Sequence, residues 1–428
     1  MNDGDASAVA DQAFGKAGQV GVDAPVGRDA RPLLAVISNG FTPYRVHVLR
    51  RIVREIPQVR LATLYTHEEC NSPWPFQPPE EIGAVVFGKG EQCLKQDRPA
   101  NAGHEWRKGG YIIEWIKRHG VRAVVIDGYN DPGRMRILWW CKRQGLPCLM
   151  FGDSNIHGDV KRGWKAIAKR LVVPPLVRCA SGILCCGQYG RAYFTKYGCP
   201  PDRIFLFPYE PDYSLIFDLP PEVVEAAKRR YGLREGRRRL VFSGRMVREK
   251  RPDLIIEAFL AIALHRPQWD LVMMGDGPLR GSLEARVPSS LADRVTWCGF
   301  LTSQRDVTAV YRASDVLVLP SDYEPWALVV NEAVAAGMAI IASSVVGAAV
   351  ELVREGVNGR IFPPGDLAAL VRCLNDVTQP DRVDALKAAS ARVLADWRRI
   401  GDPIAGLRNA LRLTGVLSES GTPSGCHA

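Results

Sequence analysis

The chain has 428 residues, of which 46% are hydrophobic and 24% charged, a balance typical of a folded globular protein with room for two α/β domains. No run approaches about 18 consecutive apolar residues, so we expect no transmembrane helix. The formal net charge of +10 leaves three anionic partners open: nucleic acid, a membrane surface and an anionic substrate. No nucleic-acid-binding signature accompanies the charge, which makes nucleic acid the least favoured of the three.

The eleven cysteines form no C-x-x-C pair, and the seven histidines show no H-E-x-x-H spacing. This pattern favours small buried cysteines in a reducing cytoplasm over a disulfide framework, and it predicts no protein-bound metal. The first thirty residues also lack the basic start and apolar run of a signal peptide. We therefore expect a cytoplasmic protein whose residues 1–31 form a disordered leader.

Short apolar runs alternate with amphipathic stretches from residue 33 onwards. The predicted strands of this first series are 33–38, 60–65, 85–87, 122–126, 148–151, 183–185 and 204–207. Predicted helices between them include 44–55, 111–118, 134–143 and 164–172. Such alternation predicts a parallel sheet covered by helices on both faces.

A proline cluster and a charged helix interrupt the pattern before a second series begins. Its predicted strands are 240–243, 270–274, 295–298, 316–319, 339–342 and 360–362, with helices at 254–264, 307–312 and 327–336. The fold class is therefore α/β, with two doubly wound parallel-sheet domains. The predicted segments are a first domain 32–208, a linker region 209–238, a second domain 239–395, a C-terminal helix 396–415 that packs back towards the first domain, and a disordered tail 416–428.

The loop after strand 240–243 carries two cations. Gly244 ends the strand, Arg245 follows it, and Lys250 lies near the start of the next helix. Two cations beside a helix N-terminus would suit a diphosphate, although a solvated basic turn explains one Arg and one Lys equally simply. The next loop contains Gly275 and Gly277, which would allow a ligand close to the backbone or make a plain tight turn.

Glu324 and Glu332 are separated by seven residues in the loop and helix that follow strand 316–319. Both carboxylates could accept hydrogen bonds from sugar or ribose hydroxyls, each worth about 1.5–3 kcal/mol. The alternative for Glu332 is a pair with a surface cation. The apolar run ALVVNEAVAAG around it disfavours that alternative.

These motifs together resemble glycosyltransferase family 4, whose members have the retaining GT-B fold of two Rossmann-like domains that face a central cleft. The resemblance is carried in order by GR-x4-K, GDGP, PS-x2-E-P-W-A-L-x3-E-A-x3-G and N-G-R-I-F-P-P-G-D, from residue 239 to about 376. It implies that Arg245 and Lys250 hold the donor diphosphate, that Glu324 contacts the transferred hexose, and that Glu332 binds the ribose hydroxyls.

Two further stretches correspond to the family's donor site. Trp326, Ala327 and Leu328 occupy the place of the usual Gly-Phe-Gly-Leu segment, so two glycines are replaced here. The backbone amides of that segment meet the sugar and phosphate in the family. The region that flanks the nucleobase corresponds to Gly299, Phe300 and Leu301.

The amino-terminal half resembles the family less. Of the usual glycine-rich first loop only Gly40 remains, followed by Arg45 at a helix start, which is either an anion contact or a solvated arginine. The usual central His or Asp after the fifth strand corresponds to either Asp153 or His157 in the stretch FGDSNIHGD. Asp153 follows the strand end directly and is the first choice.

The resemblance implies a metal-independent, retaining transferase without cofactor, whose donor is a nucleotide diphosphate sugar of the UDP or GDP type. The expected acceptor is a saccharide or lipid-linked saccharide of cell-surface polysaccharide or glycoconjugate synthesis. Two alternatives stay open: a nucleotide-sugar epimerase on the same fold, and a catalytically silent scaffold protein. No G-x-G-x-x-G follows the first strand, which argues against a nicotinamide dehydrogenase.

Residues 159–173 predict a basic amphipathic helix. Trp164, Ile167, Ala168 and Leu171 share one face, and another face carries Lys161, Lys165 and Lys169. Such a helix could lie on the anionic inner leaflet of the cytoplasmic membrane. The alternative is an ordinary domain helix with a solvated basic side.

Overall fold

The computed structural model of the chain describes residues 29–69, 74–93, 96, 98–159 and 163–418. The predicted leader, 1–31, lies outside the described residues except for its last three, and the predicted tail, 416–428, except for its first three. The described part contains two parallel β-sheets, one of seven strands and one of six. The predicted α/β class with two doubly wound domains is therefore confirmed.

The first sheet has the strand order β3-β2-β1-β4-β5-β6-β7. Its strands are β1 (Leu33–Ser38), β2 (Arg60–Tyr65), β3 (Ala84–Val86), β4 (Val121–Asp127), β5 (Cys148–Gly152), β6 (Gly182–Cys185) and β7 (Ile204–Leu206). Most residues of β1, β4 and β5 are buried, as expected for strands with helices on both faces. The strand order reverses between β1 and β4, which pair in parallel.

In the part of the chain that the structure describes, the α-helices with this sheet are α1 (Pro43–Glu55), α2 (Ala102–Arg118), α3 (Pro132–Gln144), α4 (Trp164–Cys179) and α5 (Gln188–Lys196). α3 starts at Pro132 because Asp131 caps it, with its carboxylate accepting the amide of Arg134 at 2.9 Å.

α4 is longer than predicted. The prediction ended this helix at Val172, ahead of Pro174 and Pro175, each of which removes a helical hydrogen bond. The helix instead continues to Cys179. Val173 and Val177, four residues apart on either side of the two prolines, are both buried. Their burial offsets the lost hydrogen bonds, since tertiary packing supplies most of a helix's stability in a protein.

The second sheet has the order β10-β9-β8-β11-β12-β13. Its strands are β8 (Arg238–Ser243), β9 (Trp269–Met274), β10 (Val295–Gly299), β11 (Val316–Leu319), β12 (Ala339–Ser343) and β13 (Gly359–Phe362). Strand order reverses at β8, which pairs in parallel with β9 on one side and with β11 on the other. Ligands of open α/β sheets bind at the carboxyl ends of strands beside such a reversal.

The helices that follow α5 are α6 (Ser214–Phe217), α7 (Pro221–Tyr231), α8 (Pro252–Ala263), α9 (Arg280–Glu284), α10 (Gln304–Arg312), α11 (Leu328–Ala335), α12 (Ala349–Leu352), α13 (Leu367–Val377), α14 (Pro380–Ile400) and α15 (Pro403–Leu413). The core beneath them combines β8 and β9 with α8, and its largest fully buried side chains include Phe242, Phe259 and Trp269.

The chain divides into two compact units. The first comprises 1–151, 175–183 and 408–428, and the second 152–174 and 184–407. The segment 209–238, predicted as a linker, contains α6 and α7, and Ala227 of α7 packs against Ala309 of α10 within the second unit. The predicted C-terminal helix 396–415 is broken between α14 and α15, because Asp402 accepts the amide of Ile404 at 2.7 Å and starts a new helix at Pro403.

Within the described residues, no helix is both long enough and apolar enough to cross a bilayer.

Candidate active site

The loops that follow β8, β9 and β10 are joined by backbone hydrogen bonds at the carboxyl edge of the second sheet. The amide of Gly244 donates to Met274 at 3.1 Å, and that of Gly275 donates to Gly299 at 2.8 Å. The amide of Met246 donates to Asp276 at 2.8 Å. The predicted glycines Gly244, Gly275 and Gly299 therefore lie in one layer.

Glycine is required at position 275 by both space and backbone conformation. Its φ is +114°, and a Cβ there would lie 2.0 Å from the carbonyl oxygen of Gly244. A Cβ at Gly277 would lie 2.6 Å from the carbonyl oxygen of Met246. The glycines thus let the second loop pack directly on the first, which fixes the position of Arg245 and the residues after it.

Lys250 and Glu324 form an ion pair where the loops after β8 and β11 meet. Both side chains are mostly buried, and Ser321 Oγ lies 3.4 Å from the same Glu324 oxygen. The loops are also joined through the backbone, since the amide of Asp322 donates to Glu249 at 2.9 Å. The structure therefore brings together two residues that the sequence placed in separate motifs.

Arg245 lies on the open side of this layer. Its side chain is exposed, and its guanidinium is 3.6 Å from Glu249. Arg245 and Lys250 follow the same strand, β8, and the contact of Arg245 with an anion stays a prediction.

Glu332 is buried in α11 and its carboxylate accepts a hydrogen bond from Gln304 at 2.9 Å. No ion pair involves Glu332 among the described residues, so the surface-cation alternative is wrong. Burial raises the pKa of Glu332 from 4.5 to about 7, and the Gln304 hydrogen bond opposes the shift. A buried carboxylate with one neutral donor retains unused acceptor capacity for ligand hydroxyls.

The segment that replaces the family's glycines has its own geometry. The Trp326 indole is buried and donates to the carbonyl of Tyr209 at 3.0 Å, so only the backbone of this residue can contact a donor. Ala327 has φ +76° and ψ +77° and immediately precedes α11, which begins at Leu328. Ala327 therefore adopts the left-handed conformation for which a glycine is better suited.

Residues 153–158, after β5, pack on the loop after β11 within the second unit. The buried side chain of Asn155 donates to the carbonyls of Glu324 at 2.8 Å and Pro325 at 3.3 Å. Its Oδ1 accepts the amides of His157 and Gly158 at 2.9 and 3.1 Å. Asn155 was missed from the sequence, because a single buried asparagine has no local pattern.

Both candidates for the central acid or histidine lie in this segment. Asp153 directly follows β5; burial, and after it the charge of Asp153, raises the pKa of Tyr323 to about 12. The His157 ring packs edge-on against Tyr189 with centroids 4.5 Å apart. The structure therefore places both near the loop after β11, and Asp153 as first choice stays a prediction.

At the end of β10, Phe300 is about half exposed, whereas Leu301 is buried. Of these two side chains, only the Phe300 ring is thus available to stack on a base.

In the first unit, Arg45 pairs with Asp127 and donates to Ser38 Oγ at 2.6 Å, and that hydroxyl donates to the carbonyl of Gly40 at 3.1 Å. The alternative of a solvated arginine is therefore wrong. Ser38 and Asp127 end β1 and β4, so Arg45 lies at the strand reversal of this sheet. Its contact with an anion stays a prediction.

The predicted basic face of α4 differs from expectation at Lys169. This ammonium pairs with Asp159 at 2.8 Å and lies over the Tyr193 ring at 4.8 Å, because α5 carries the aromatic rings beneath it. Ile167 and Leu171 are exposed, as a docking face would require. Lys161 lies outside the described residues, as do the side chains of Trp164, Lys165 and Ala168.

One group of described residues has the composition of a metal site. Ligand atoms of His67, Glu91 and Glu105 lie within 4.8 Å of one another in the first unit. The ammonium of Lys108 donates to both carboxylates, at 3.1 Å from Glu105. This buried lysine supplies the positive charge that a metal ion would otherwise bring.

Comparison with known proteins identifies a family that the sequence matches. The sequence model of the family described as Glycosyl transferases group 1 matches residues 223–392. The D-inositol 3-phosphate glycosyltransferase of Thermobispora bispora is 34% identical over 380 residues, which cover 83% of this chain and 85% of that protein. The lipopolysaccharide core biosynthesis mannosyltransferase LpsB of Rhizobium meliloti is 34% identical over 184 residues, which cover 41% of this chain and 51% of that protein.

Two solved structures have the same fold. Anabaena HepE in complex with UDP and glucose has a TM-score of 0.67 at 16% identity, covering 90% of this chain and all of that one. Sucrose-phosphate synthase from Thermosynechococcus elongatus has a TM-score of 0.68 at 19% identity, covering 89% of this chain and 99% of that one. These likenesses confirm the predicted GT-B fold.

Proposed function

The chain belongs to the family of glycosyl transferases group 1 and is a glycosyltransferase, and from this premise we propose that it is a retaining, metal-independent enzyme of family 4. It moves a hexose from a nucleotide diphosphate sugar to a saccharide or lipid-linked saccharide. The observation that carries the proposal is the Lys250–Glu324 pair, which joins the loops after β8 and β11 at the strand reversal of the second sheet.

Arg245 and Lys250 bind the donor diphosphate in this proposal. Both cations follow β8, and the glycines of the loop after β9 let that loop pack directly on theirs. When the donor arrives, Lys250 exchanges part of its contact with Glu324 for a phosphate oxygen. Glu324 is then free to accept a hydrogen bond from a hydroxyl of the hexose.

Glu332 binds the ribose hydroxyls, since its carboxylate has one neutral hydrogen-bond donor and unused acceptor capacity. Phe300 stacks on the base from the end of β10. The backbone around Ala327 presents amides to the sugar and phosphate, and the Trp326 side chain anchors that backbone. The remaining proposed donor contacts are Gly244, Gly275, Gly277, Gly299, Leu301, Leu328, Gly40 and Arg45.

Transfer takes place on one face of the sugar. The bond from the anomeric carbon to the diphosphate oxygen breaks while the acceptor oxygen bonds to the same face. The acceptor's hydroxyl proton passes to the departing phosphate oxygen. Arg245 and Lys250 stabilise the charge that develops on the diphosphate. Asp153, or failing it His157, orients the hexose or the acceptor.

The proposed donor and acceptor classes are argued from proteins that are similar to this chain. HepE was solved with UDP and glucose, which favours a UDP-sugar here. The named relatives include an inositol phosphate glycosyltransferase and a lipopolysaccharide core mannosyltransferase. They favour an acceptor in polysaccharide or glycoconjugate synthesis. A peripheral position on the inner leaflet of the cytoplasmic membrane would place the enzyme beside such acceptors.

The first experiment is a thermal-shift screen of the full chain against UDP, GDP, ADP, TDP and their sugar conjugates. A ligand at about 100 times its Kd stabilises the folded state by about 2.7 kcal/mol. We expect one nucleotide class to raise Tm, and the rise to disappear in Glu332→Ala. No shift with any nucleotide would favour a silent scaffold instead, and donor epimerised without acceptor would favour an epimerase.

Measurements of kcat test the proposed roles of Arg245 and Lys250. We expect Arg245→Ala and Lys250→Ala each to lower kcat by roughly 10²–10³, because each removes stabilisation of the leaving diphosphate. Arg229→Ala, an exposed arginine on α7, is the matched control and should keep wild-type turnover. Wild-type kcat at saturating donor in either site variant would remove that residue from the mechanism.

A further inference from the structure

We propose that the outer surface of helices α2 and α3 is a docking surface for an anionic lipid bilayer. We name it the tryptophan face, and define it by Trp106, Lys117, Arg136, Trp139, Trp140 and Arg143. The inference deepens the proposed function and rests on it, because a lipid-linked acceptor would lie at such a bilayer. None of these residues belongs to the candidate active site.

Large aromatic side chains are exposed on this face. Trp106 is 48% exposed and Trp139 is 50% exposed. The buried sides of the two helices are already filled by Ile112, Ile116 and Ile137. The tryptophans are therefore not required for the core, and exposing two of them on neighbouring helices is costly in water unless a partner covers them.

A cationic side chain lies over each tryptophan ring of the tryptophan face. The guanidinium of Arg136 lies 5.0 Å from the Trp106 ring centroid, and that of Arg143 lies 4.2 Å from the Trp139 ring centroid. The ammonium of Lys117 lies 5.7 Å from the Trp140 ring centroid, which joins α2 to α3. Tryptophan with arginine or lysine is the combination found at bilayer headgroups, where the ring enters the interface and the cation meets lipid phosphates.

The exposed charge on these helices has one dominant sign. Exposed cations are Arg107, Lys117, Arg118, Lys142 and Arg143, whereas the only exposed acid of α2 and α3 is Glu114, which pairs with Lys117 at 2.8 Å. Among the described residues, no carboxylate forms an ion pair with Arg107, Arg118, Lys142 or Arg143. A surface of this charge attracts anionic lipid, and it opposes a second copy of itself across a twofold axis.

Glycines make the face rigid. A Cβ at Gly109 would lie 2.6 Å from the carbonyl oxygen of Gly133, and one at Gly133 would lie 2.3 Å from that of Glu105. The two helices therefore touch backbone to backbone. Arg136 crosses this seam and donates to the carbonyl of Trp106 at 2.7 Å. The rings and cations are thus held in one arrangement before any lipid binds, which lowers the entropy lost on docking.

The observations favour this face over the predicted basic face of α4. Ile167, Arg170 and Leu171 are exposed on α4, but the ammonium of Lys169 is held by Asp159 and the Tyr193 ring. On α2 and α3, by contrast, unpaired cations and exposed rings occur together.

The test is co-sedimentation of the full chain with vesicles of phosphatidylcholine alone and of phosphatidylcholine with phosphatidylglycerol. We expect binding to the anionic vesicles at low salt, and its loss in salt that shortens the Debye length to about 3 Å. Trp106→Ala with Trp139→Ala should lower the vesicle-bound fraction at least tenfold. Lys142→Glu with Arg143→Glu should do the same, because each basic residue near an anionic surface contributes about fivefold in affinity.

Matched controls lie on the second unit. Leu264→Ala removes an exposed apolar side chain, and Arg229→Glu reverses an exposed charge, so both should bind vesicles as the wild type does. Nucleotide-induced thermal shifts of every variant report the donor site separately. A normal shift without vesicle binding would overturn the docking face alone, and vesicle binding without a shift would overturn the proposed function alone.

Two further results would overturn the docking face. One is equal binding to neutral and anionic vesicles. The other is a concentration-dependent dimer that the tryptophan variants dissociate, since the occupant would then be a second copy.

Discussion

Burial of the Glu332 carboxylate lowers the free energy of unfolding when the group is ionised. Its pKa rises from 4.5 to about 7, mainly through burial. A group with a raised folded-state pKa contributes its full stability below the unfolded pKa and loses it as pH rises through the folded pKa. For Glu332 the loss therefore falls between about pH 4.5 and about pH 7, and it amounts to about 3 kcal/mol at higher pH.

Glu332→Gln should remove this pH dependence, because the amide is neutral throughout. We expect the stability advantage of the variant over the wild type to grow by about 2.5 kcal/mol between pH 5 and pH 8 in urea unfolding. Glu222→Gln, at an exposed position on α7, is the control and should leave the difference between the two pH values unchanged. A wild type equally stable at both values would show that the carboxylate is not penalised by burial.

Ala327 is the second residue where the local chemistry and the observed conformation disagree. A non-glycine residue in the left-handed region costs roughly 1–2 kcal/mol, and glycine loses about 0.5–1 kcal/mol more backbone entropy on folding than alanine. The difference favours glycine at φ +76°. The family's glycine would thus suit this backbone, which alanine adopts because Trp326 anchors one side and α11 begins on the other.

We expect Ala327→Gly to stabilise the protein by about 0.5–1 kcal/mol, measured by urea unfolding. Ala336→Gly is the matched control at the other end of α11, where φ is −74°. That change should destabilise by about 0.5–1 kcal/mol, because only the entropy cost remains. Equal effects of the two substitutions would contradict strain at Ala327.

At the scale of elements, the strands were predictable and the contacts between loops were not. β2 and β11 have the predicted limits, and β11 (VLVL) is a continuous apolar run between Asp315 and Pro320, the local signal of a strand covered on both faces. The extension of α4 past Pro174 was not predictable, since it depends on the burial of Val173 and Val177 by distant residues.

The residues of the candidate site also divide into those that the sequence predicted and those that it did not. Gly275 and Glu324 could be assigned from motif order, because the family's loops follow strands whose positions are locally encoded. The Lys250–Glu324 pair, the Gln304 contact to Glu332 and the role of Asn155 depend on strand order, which brings loops distant in sequence together. Lys169 was misassigned for this reason, since Asp159 and Tyr193 meet it only in the folded chain.

Asn155 joins two elements of the second unit, and its loss should loosen both. Asn155→Ala leaves the amides of His157 and Gly158 and the carbonyls of Glu324 and Pro325 without this partner. We expect a loss of roughly 1–3 kcal/mol in the free energy of unfolding, with a fall in kcat. Urea unfolding and turnover measure the two effects.

The control for this change is Asn375→Ala, at an exposed position on α13, which should change neither quantity. Wild-type stability in Asn155→Ala would mean that water replaces the side chain and that the loops are held by their own backbone.

At the scale of the whole molecule, the candidate donor residues are concentrated in one compact unit. Residues 152–174 belong with 184–407, so Asp153, His157 and Asn155 are part of the same unit as the loops after β8 and β11. The first unit contains β1 to β4 of the first sheet and helices α1 to α3, including the tryptophan face. Apart from Gly40 and Arg45, the proposed donor contacts therefore belong to a different unit from the tryptophan face.

This division predicts where a nucleotide slows amide hydrogen exchange. Exchange from a loop requires local opening, and a ligand that binds only the closed form suppresses that opening. We expect a saturating nucleotide to protect residues 244–250, 275–278 and 320–332, and to leave α2 and α3 at their free rates. Anionic vesicles should produce the reverse pattern. Protection of α2 and α3 by nucleotide alone, with none in the three loops, would place the donor in the first unit and refute the assignment of the site.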